Sequence, residues 1–287
     1  MHLGADIGGT KLLLRAVAAD GAVLSQRRVS TGADCPSAHL DDAIDELVDS
    51  VGQPASLGVA CPGLIGSDGT VVLCDVLPQL VGWRPRALRR ITSAVVVNDI
   101  RAALLTVAAR QPRGDVAVVV SGTGIAAGFT HSGRVHAGAD GWAGELGSVP
   151  VPDGDEVTTL DALASGASIV AQLGVPAAEV AERLSVADPV AAAVVGRAGR
   201  AFGRGLATLV NLVNPRAVVL AGGTLAYPGY VDAALEEAAR HTLAPHWEAC
   251  TVTVDEDPGT LVVRGAVEAG RSAAGGTGPQ SRQRAGG

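Results

Sequence analysis

The chain has 287 residues, of which 47% are apolar and only 2% aromatic, and its formal net charge is −7. It is apolar enough to fold around a core, whereas few aromatic rings and an acidic balance argue against a nucleic-acid-binding surface. The sequence has no uniformly apolar stretch of about 18 residues and no signal-peptide pattern, so we expect a cytoplasmic protein without a membrane span.

The first hundred residues alternate short apolar runs with turns. The first three runs, joined by Gly8-Gly9 and Asp20-Gly21, predict an antiparallel meander. The elements expected here are strands at 3–7, 12–17, from 22, 56–60, 70–73 and 94–97, and helices at 36–51 and 100–110.

From residue 116 the pattern restarts with a strand, a glycine turn, a second strand and a hairpin. The two copies, starting near residues 3 and 116, predict two related lobes. The helix at 187–213 contains four glycines, which indicate close helix approach or a nearby ligand. The elements expected here are strands at 116–120, 125–130, 217–220 and 250–254, and helices at 159–170, 173–184, 187–213, 230–242 and 260–272, with a disordered tail at 273–287.

Two glycine turns between strands carry the strongest sign of a ligand. They are Asp6-Ile7-Gly8-Gly9-Thr10-Lys11 and Ser121-Gly122-Thr123-Gly124. Glycine lets backbone N–H groups approach phosphate oxygens, Thr10 adds a hydroxyl, and Asp6 offers a carboxylate to Mg²⁺ through water. A plain hairpin turn is the alternative for each, but two such turns in one chain favour a clamp on one polyphosphate.

Polar residues in apolar surroundings give further candidates. Asn98 and Asp99 follow an apolar strand, where they either cap the next helix or lie at the ligand-binding edge of a sheet. In the second interpretation Asp99 accepts a proton from an attacking hydroxyl and Asn98 hydrogen-bonds the same substrate. Glu145 and Asp161 are either solvated or capping acids, or acceptors for sugar hydroxyls. Gly222-Gly223 is either a tight turn or bare backbone beneath a nucleoside.

Taken in this order, the motifs resemble the ROK family of bacterial sugar kinases and repressors, in the actin-like ATPase superfamily. The resemblance runs from about residue 3 to 271, and Cys61-Pro62-Gly63 and Leu80-Val81-Gly82-Trp83 loosely match two further family landmarks. It implies a two-lobed α/β fold of the actin-like, ribonuclease H-like kind, with ATP and sugar in the interlobe cleft. The implied lobes are a small one at 1–98, on which the helix at 260–272 packs back, and a large one at 99–259.

The resemblance also implies the ligands, ATP with Mg²⁺ and a sugar, and a role for each matched residue. Asp99 is the implied catalytic base. The implied sugar-binding residues are Asn98, Glu145, Asp161, Ser148 and Gly63. The implied ATP-binding residues are Asp6, Gly8, Gly9, Thr10, Lys11, Gly122, Thr123, Gly124, Gly222 and Gly223, with Asp6 also holding Mg²⁺ through water.

The region after Glu145 departs from the family pattern. The family's His after Glu-x-Gly, a zinc ligand that also touches the sugar near C1 and C2, is Ser148 here. The cysteine-rich run with the other ligands is absent, and none of the four cysteines lies between Ser148 and Asp161. We therefore expect no zinc, altered contacts near C1 and C2, and retained contacts near C4 and C6.

The expected activity is ATP-dependent phosphorylation of a hexose or aminohexose at its C6 hydroxyl, by a homodimer with no nucleic-acid or membrane partner. Glucose is the family default, and Asp153, Asp155 and Glu156 in the shortened loop favour an aminohexose of the kanosamine type. One alternative is a catalytically inactive sugar-binding regulator, which Ser148 keeps open. Another is a ROK repressor, but a strand starting at residue 3 leaves no room for a helix-turn-helix.

Overall fold

The computed structural model describes residues 1–32, 34–111 and 114–276. These residues form two compact units, each with its own five-stranded sheet. The first unit comprises residues 1–110, 137–142 and the described residues from 259 onward, and the second comprises 111–136 and 143–258. Within the described ranges, no helix combines the length and apolar character needed to cross a bilayer.

The regular elements follow one another in strand-rich and helix-rich blocks. The strands are β1 (His2–Ile7), β2 (Lys11–Val17), β3 (Val23–Ser30), β4 (Ser56–Cys61), β5 (Leu64–Ile65), β6 (Val71–Leu73), β7 (Ala94–Asn98), β8 (Val116–Ser121), β9 (Ile125–His131), β10 (Arg134–Val135), β11 (Pro150–Asp153), β12 (Glu156–Thr159), β13 (Ala217–Ala221) and β14 (Thr251–Val254). The α-helices are α1 (Ser37–Val51), α2 (Asp99–Arg110), α3 (Leu160–Ala164), α4 (Gly166–Leu173), α5 (Ala177–Ser185), α6 (Pro189–Val213), α7 (Tyr230–His241), α8 (Ala244–Ala249) and α9 (Leu261–Ala274). Short 3₁₀ helices cover Pro78–Leu80, Arg86–Arg89, Leu146–Ser148 and Gly223–Ala226.

The sheet of the first unit has the order β3–β2–β1–β4–β7. β1, β2 and β3 are antiparallel, which confirms the predicted meander, while β4 and β7 extend the sheet parallel to β1. Every residue of β4 is buried, because α1 covers one face of the sheet and α2 and α9 cover the other. The carboxyl ends of β1, β4 and β7 therefore share one edge, and Asp6 and Asn98 lie at or next to those ends.

The sheet of the second unit has the order β10–β9–β8–β13–β14. β8 and β9 form an antiparallel hairpin, and β13 and β14 follow in parallel to β8. The first unit has the same order of β2, β1, β4 and β7, so the predicted repeat of a hairpin unit is confirmed in the topology. Each repeat therefore has a glycine turn between its first two strands.

The glycines of α6 allow it to lie unusually close to α7. A Cβ atom at Gly199 would lie 2.4 Å from the backbone oxygen of Tyr230, and one at Gly203 would lie 2.3 Å from that of Ala234. Of the two interpretations of this glycine-rich helix, close helix approach therefore accounts for these two positions. Gly205 serves a similar purpose, because it makes room for the buried side chain of Leu160.

Two helix predictions in the second unit are wrong in their boundaries. The expected helix at 159–170 is interrupted at Ser165, whose backbone is extended and whose hydroxyl oxygen accepts the N–H of Ser168, so that it caps α4. The expected helix at 173–184 begins only at Ala177. Gly174 is left-handed and ends α4, and Pro176 is extended in front of α5.

The shortened segment between Ser148 and Asp161 is a two-stranded hairpin rather than an irregular loop. β11 and β12 pair antiparallel over four residues each, with Gly154 left-handed at the turn. Val151 is buried against the core of the second unit, which fixes the hairpin at its base. Asp153, Asp155 and Glu156 are exposed at its tip.

Two expected boundaries differ from the units of the structure. α2 lies in the first unit, because Ala102 packs with Ala266 and Ala269 of α9 in a cluster of small residues. α9 continues to Ala274, beyond the predicted start of a disordered tail at 273. The remainder of that predicted tail, residues 277–287, lies outside the described residues.

The close approach of α6 and α7 predicts opposite effects for two glycine substitutions in one helix. Gly203→Ala should lower the free energy of unfolding by about 1–3 kcal/mol, because the new Cβ meets backbone on α7. Gly196→Ala should raise it by up to about 1 kcal/mol, because alanine favours helix and a Cβ there meets only the flexible end of Arg200 at 3.6 Å. Chemical denaturation of both variants checks this, and equal effects would contradict it.

Candidate functional site

The turn between β1 and β2 leaves two neighbouring backbone donors without an acceptor among the described residues. The Gly8 N–H donates to the Lys11 oxygen at 2.8 Å, which closes the turn. Thr31 holds the turn from outside: its hydroxyl donates to the Gly8 oxygen at 2.7 Å and its N–H donates to the Thr10 oxygen at 3.1 Å. The N–H groups of Gly9 and Thr10 donate to no acceptor among the described residues. Adjacent free N–H groups of this kind bind anions.

The turn between β8 and β9 is built in the same way. The Gly122 N–H donates to the Gly124 oxygen at 2.9 Å. The Gly122 oxygen accepts the Gly166 N–H at 2.7 Å and the Thr224 hydroxyl at 3.1 Å. The N–H groups of Thr123 and Gly124 have no acceptor in the described ranges. Neighbouring elements thus occupy a carbonyl of this turn and leave two amide donors for a ligand.

The buried side chain of Tyr230 anchors Ser121, the strand residue that leads into the second turn. Tyr230 is fully buried, its hydroxyl donates to the Ala164 oxygen at 2.8 Å, and it is hydrogen-bonded to the Ser121 hydroxyl at 3.0 Å. Burial raises the pKa of Tyr230, so the hydroxyl remains a neutral donor. Gly222 packs against the same strand end: its φ is +112°, and a Cβ there would lie 2.1 Å from the Ser121 oxygen. The adjacent Gly223 has open space beside it.

Asn98 performs the capping role that the sequence allowed as an alternative. Its Oδ1 accepts the N–H of Ile100 at 2.9 Å, at the start of α2. Its Nδ2 donates to the Gly63 oxygen at 2.8 Å, so Asn98 also ties the Gly63 loop to the end of β7. The amide has a second N–H, which leaves one donor for a substrate. Asp99 follows directly, and its Oδ1 accepts the Ile100 N–H at 2.8 Å.

Repulsion from the Asp99 carboxylate disfavours ionisation of Asp6, next to the first glycine turn. Burial, followed by repulsion from Asp99, raises the pKa of Asp6 from 3.8 to about 7, although the charge of Lys11 opposes the shift. A bound cation would reduce this repulsion and favour the ionised form of Asp6. A hard cation with oxygen ligands, such as Mg²⁺, fits this donor set, and Asp6 is the residue that would hold it.

A zinc site finds no comparable support. Among the described residues, no three His, Cys, Asp or Glu side chains lie together as a metal-binding group. The four cysteines are free thiols, and none lies on the hairpin that follows Ser148.

Glu145 precedes the short helix at Leu146–Ser148, and Ser148 is its last residue. The Ser148 N–H donates to the Glu145 oxygen at 3.1 Å, and the Ala127 N–H of β9 donates to the Gly144 oxygen at 2.8 Å. Gly144 has a φ of +118°, and a Cβ there would lie 1.8 Å from the Ala127 oxygen. The segment that carries Glu145 is therefore fixed directly to the strand that follows the second turn.

Asp161 contacts the second turn rather than standing apart from it. Its Oδ1 accepts the N–H of Ile125 at 2.6 Å, immediately after Gly124. Its carboxylate also lies against Gly147, where a Cβ would be 2.4 Å from Oδ2. Burial raises the pKa of Asp161, and the Ile125 N–H opposes that shift.

The candidate residues fall into two groups, one in each unit. The first unit holds Asp6, Gly8, Gly9, Thr10, Lys11, Gly63, Asn98 and Asp99. The second unit holds Gly122, Thr123, Gly124, Glu145, Ser148, Asp161, Gly222 and Gly223. Within each group the structure brings the residues to one end of a sheet, around a turn with unpartnered N–H groups.

Sequence reasoning missed several contributors. Thr31, Tyr230 and Thr224 support the turns from distant positions, and no local sequence signal indicates them. Arg101 lies two residues after Asp99 and is partly buried. Its backbone N–H donates to Asn98 Oδ1 at 3.3 Å, whereas its guanidinium has no hydrogen bond or ion pair among the described residues. Burial lowers the pKa of its guanidinium. The position of Arg101 in the first turn of α2 was detectable in the sequence. Its guanidinium is available to an anion that binds there.

Comparison with known proteins identifies the family of this chain. The model of the ROK family matches residues 2–267. The chain belongs to the ROK family. This ROK protein is 26% identical over 280 residues to the N-acetylmannosamine kinase of Escherichia coli O9:H4 (strain HS), covering 90% of this chain and 95% of that protein.

Solved structures of other ROK proteins share its fold. The ROK hexokinase of Thermus thermophilus superposes with a TM-score of 0.74 at 25% identity, covering 93% of this chain and 97% of that one. The ROK glucokinase of Streptomyces griseus, solved with glucose and AMPPNP, superposes with a TM-score of 0.76 at 25% identity, covering 94% and 99%. The predicted actin-like ATPase fold is thereby confirmed.

The raised pKa of Asp6 predicts a pH-dependent effect of Asp6→Asn on stability in the absence of Mg²⁺ and nucleotide. Because the folded protein holds the proton more tightly than the unfolded chain, ionisation of Asp6 lowers stability as the pH rises from about 4 to about 7. Asparagine removes this penalty. The variant should therefore be more stable than the wild type at pH 8, by at most about 4 kcal/mol, and the gain should shrink toward pH 5.

Denaturation in EDTA at both pH values measures this difference. Asp20→Asn is the matched control, because Asp20 is exposed and asparagine keeps an oxygen for the Ala22 N–H. A gain of equal size at pH 5 and pH 8 would show that ionisation of Asp6 is not its source.

Proposed function

We propose that this ROK protein transfers the γ-phosphoryl group of ATP to the C6 hydroxyl of a hexose or aminohexose. The observation that carries the proposal is the pair of glycine turns, each with two adjacent N–H groups that have no acceptor in the described part of the chain. Such donors suit the phosphate oxygens of a nucleotide and the charge that develops on them during transfer. The names of the relatives, a hexokinase, a glucokinase and an N-acetylmannosamine kinase, support the same class of reaction.

Asp99 is the proposed acceptor of the sugar hydroxyl proton. It lies just after a parallel strand, where ligands of α/β folds bind, and its backbone position is fixed by the cap that Asn98 forms on α2. As a carboxylate it takes the proton while the hydroxyl oxygen forms its bond to phosphorus. Asn98 has one amide N–H left with which to orient the sugar, and its other contact holds Gly63 beside it.

Each glycine turn is proposed to offer donors to phosphate oxygens. The proposed donors of the first unit are the N–H groups of Gly9 and Thr10, and those of the second unit are the N–H groups of Thr123 and Gly124. Mg²⁺, when bound, supplies positive charge to the phosphates, and Asp6 would hold it through water. Gly223, with open space beside it, suits a nucleoside lying against bare backbone.

The sugar preference rests on the segment from Glu145 to Ser148. Serine replaces the histidine of the family, so contacts near C1 and C2 differ from those of zinc-containing relatives. Glu145 offers an acceptor for a hydroxyl or an ammonium group. Glu145 and the acids at the hairpin tip are all exposed, so solvent screens their charges and they lend less support than the sequence indicated. We propose glucose or an amino-deoxyglucose of the kanosamine type as the acceptor.

Replacement of Asp99 by asparagine tests the proton acceptor. Asn keeps an oxygen for the Ile100 N–H but does not take up a proton, so Asp99→Asn should lower kcat by about 10²–10⁴-fold while sugar affinity changes little. A coupled ADP-release assay measures turnover and calorimetry measures sugar binding. Asp232→Asn, an exposed position on α7, is the control. Near-wild-type turnover in Asp99→Asn would remove Asp99 from this role.

A sugar panel tests the acceptor class. With Mg-ATP, we expect turnover on glucose, glucosamine or kanosamine to exceed turnover on N-acetylglucosamine or N-acetylmannosamine, because the proposed Glu145 contact favours a hydroxyl or an ammonium over a neutral amide. The readout is kcat/KM for each sugar. A clear preference for an N-acetyl sugar would contradict the proposal. Sugar binding without turnover across the panel would instead favour an inactive sugar-binding regulator.

A further inference from the structure

The carboxylate of Asp161 joins two segments of the second unit that are far apart in sequence. On one side Oδ1 accepts the Ile125 N–H at 2.6 Å, at the exit of the second glycine turn. On the other side the carboxylate lies against Gly147, where an added Cβ would be 2.4–2.5 Å from all three carboxyl atoms. A third contact is with Gly124, whose Cβ would be 3.6 Å from Oδ2.

These contacts fix the backbone next to the Thr123 and Gly124 N–H groups, which are the proposed donors to the nucleotide. Ile125 is paired with Ser121 across the β8–β9 hairpin, so the Ile125 N–H defines where the turn returns to the sheet. A hydrogen bond from a backbone N–H to a carboxylate is stronger than one between neutral groups. It holds the exit of the turn while Tyr230 holds its entrance through Ser121. The N–H groups of Thr123 and Gly124, which have no acceptor in the part of the chain that the structure describes, lie between these two anchors.

We propose that Asp161 is a positioning residue for ATP, which acts through the Ile125 N–H on the second glycine turn, rather than a ligand of the sugar. This inference rests on the proposed kinase function and departs from the sugar-binding role that the family resemblance implies for this position. Gly147 is part of the same arrangement, because only a residue without a side chain leaves room for the carboxylate there.

Three variants separate the two roles. Asp161→Asn keeps an oxygen for Ile125 and changes Oδ2, the atom that a sugar would use. Asp161→Ala removes both oxygens. Gly147→Ala leaves Asp161 in place but pushes a Cβ into its carboxylate. A positioning role predicts weaker nucleotide binding in Asp161→Ala and in Gly147→Ala, and nucleotide binding close to wild type in Asp161→Asn.

The measurements are the Kd of Mg-AMPPNP without sugar and the KM values of ATP and sugar. Loss of a hydrogen bond to a charged group corresponds to about a tenfold to hundredfold change, so Kd and the KM of ATP should rise by that factor in Asp161→Ala. The KM of the sugar should change little. Thermal unfolding of each variant checks that it is folded, and Asp161→Asn provides the rescue that general destabilisation would not.

The contrary outcomes are distinct. A sugar KM raised in both Asp161→Asn and Asp161→Ala, with unchanged nucleotide affinity, would overturn the positioning role and restore the sugar-binding one. An unchanged nucleotide Kd in a folded Asp161→Ala variant would overturn the positioning role alone. A wild-type protein that binds no nucleotide would overturn the proposed function and, with it, this inference.

Discussion

In both units, backbone atoms approach one another to distances that leave no room for a Cβ atom. In the first unit, a Cβ at Gly265 would lie 1.6 Å from the Ala102 oxygen, and one at Gly58 would lie 1.8 Å from the Ala266 oxygen. With so few aromatic residues, the protein fills its core by bringing small residues and bare backbone together, and it reaches close packing without large side chains. This constraint extends from the helices into the candidate site.

The second glycine turn shows the same constraint within the candidate site. Gly166 donates its N–H to the Gly122 oxygen from a position where a Cβ would be 2.7 Å from that oxygen. Gly222 and Gly147 make equally close contacts with Ser121 and Asp161. Packing around the turn therefore involves its carbonyl groups and its flanking residues, and no described residue accepts the N–H groups of Thr123 and Gly124. Donors that are fixed before the ligand arrives cost little reorganisation during reaction.

Charge balance sets the second condition on the site. In the first unit, burial and repulsion from Asp99 make ionisation of Asp6 unfavourable. The positive charge of Lys11 opposes this effect. Asp161 is compensated differently, by a backbone N–H. A bound cation would reduce the repulsion between Asp6 and Asp99. The carboxylates of the two units therefore suit different tasks, one cation-dependent and the other structural.

Much of this arrangement was open to prediction from the sequence. Asp6 to Lys11 and Ser121 to Gly124 are local signals, because a glycine turn between apolar runs needs only its own residues to be recognised. The meander, the repeat and most strand positions follow from the same period-two pattern. The boundaries of the helices predicted at 159–170 and 173–184 were wrong, because they depend on the capping hydroxyl of Ser165, on the left-handed Gly174 and on Pro176.

The sequence by itself determined the family, the two glycine turns and the candidate acids, since each of these is written in consecutive residues. Only the tertiary structure decided which hydrogen-bond partner each amide or carboxylate side chain takes. Asn98 is used in capping α2 and holding Gly63, and Asp161 meets Ile125, 36 residues away in the chain. The physical reason is that a carboxylate or amide binds whichever donor the packing of distant segments brings within about 3 Å, and that packing was set by glycines whose contacts no local pattern records.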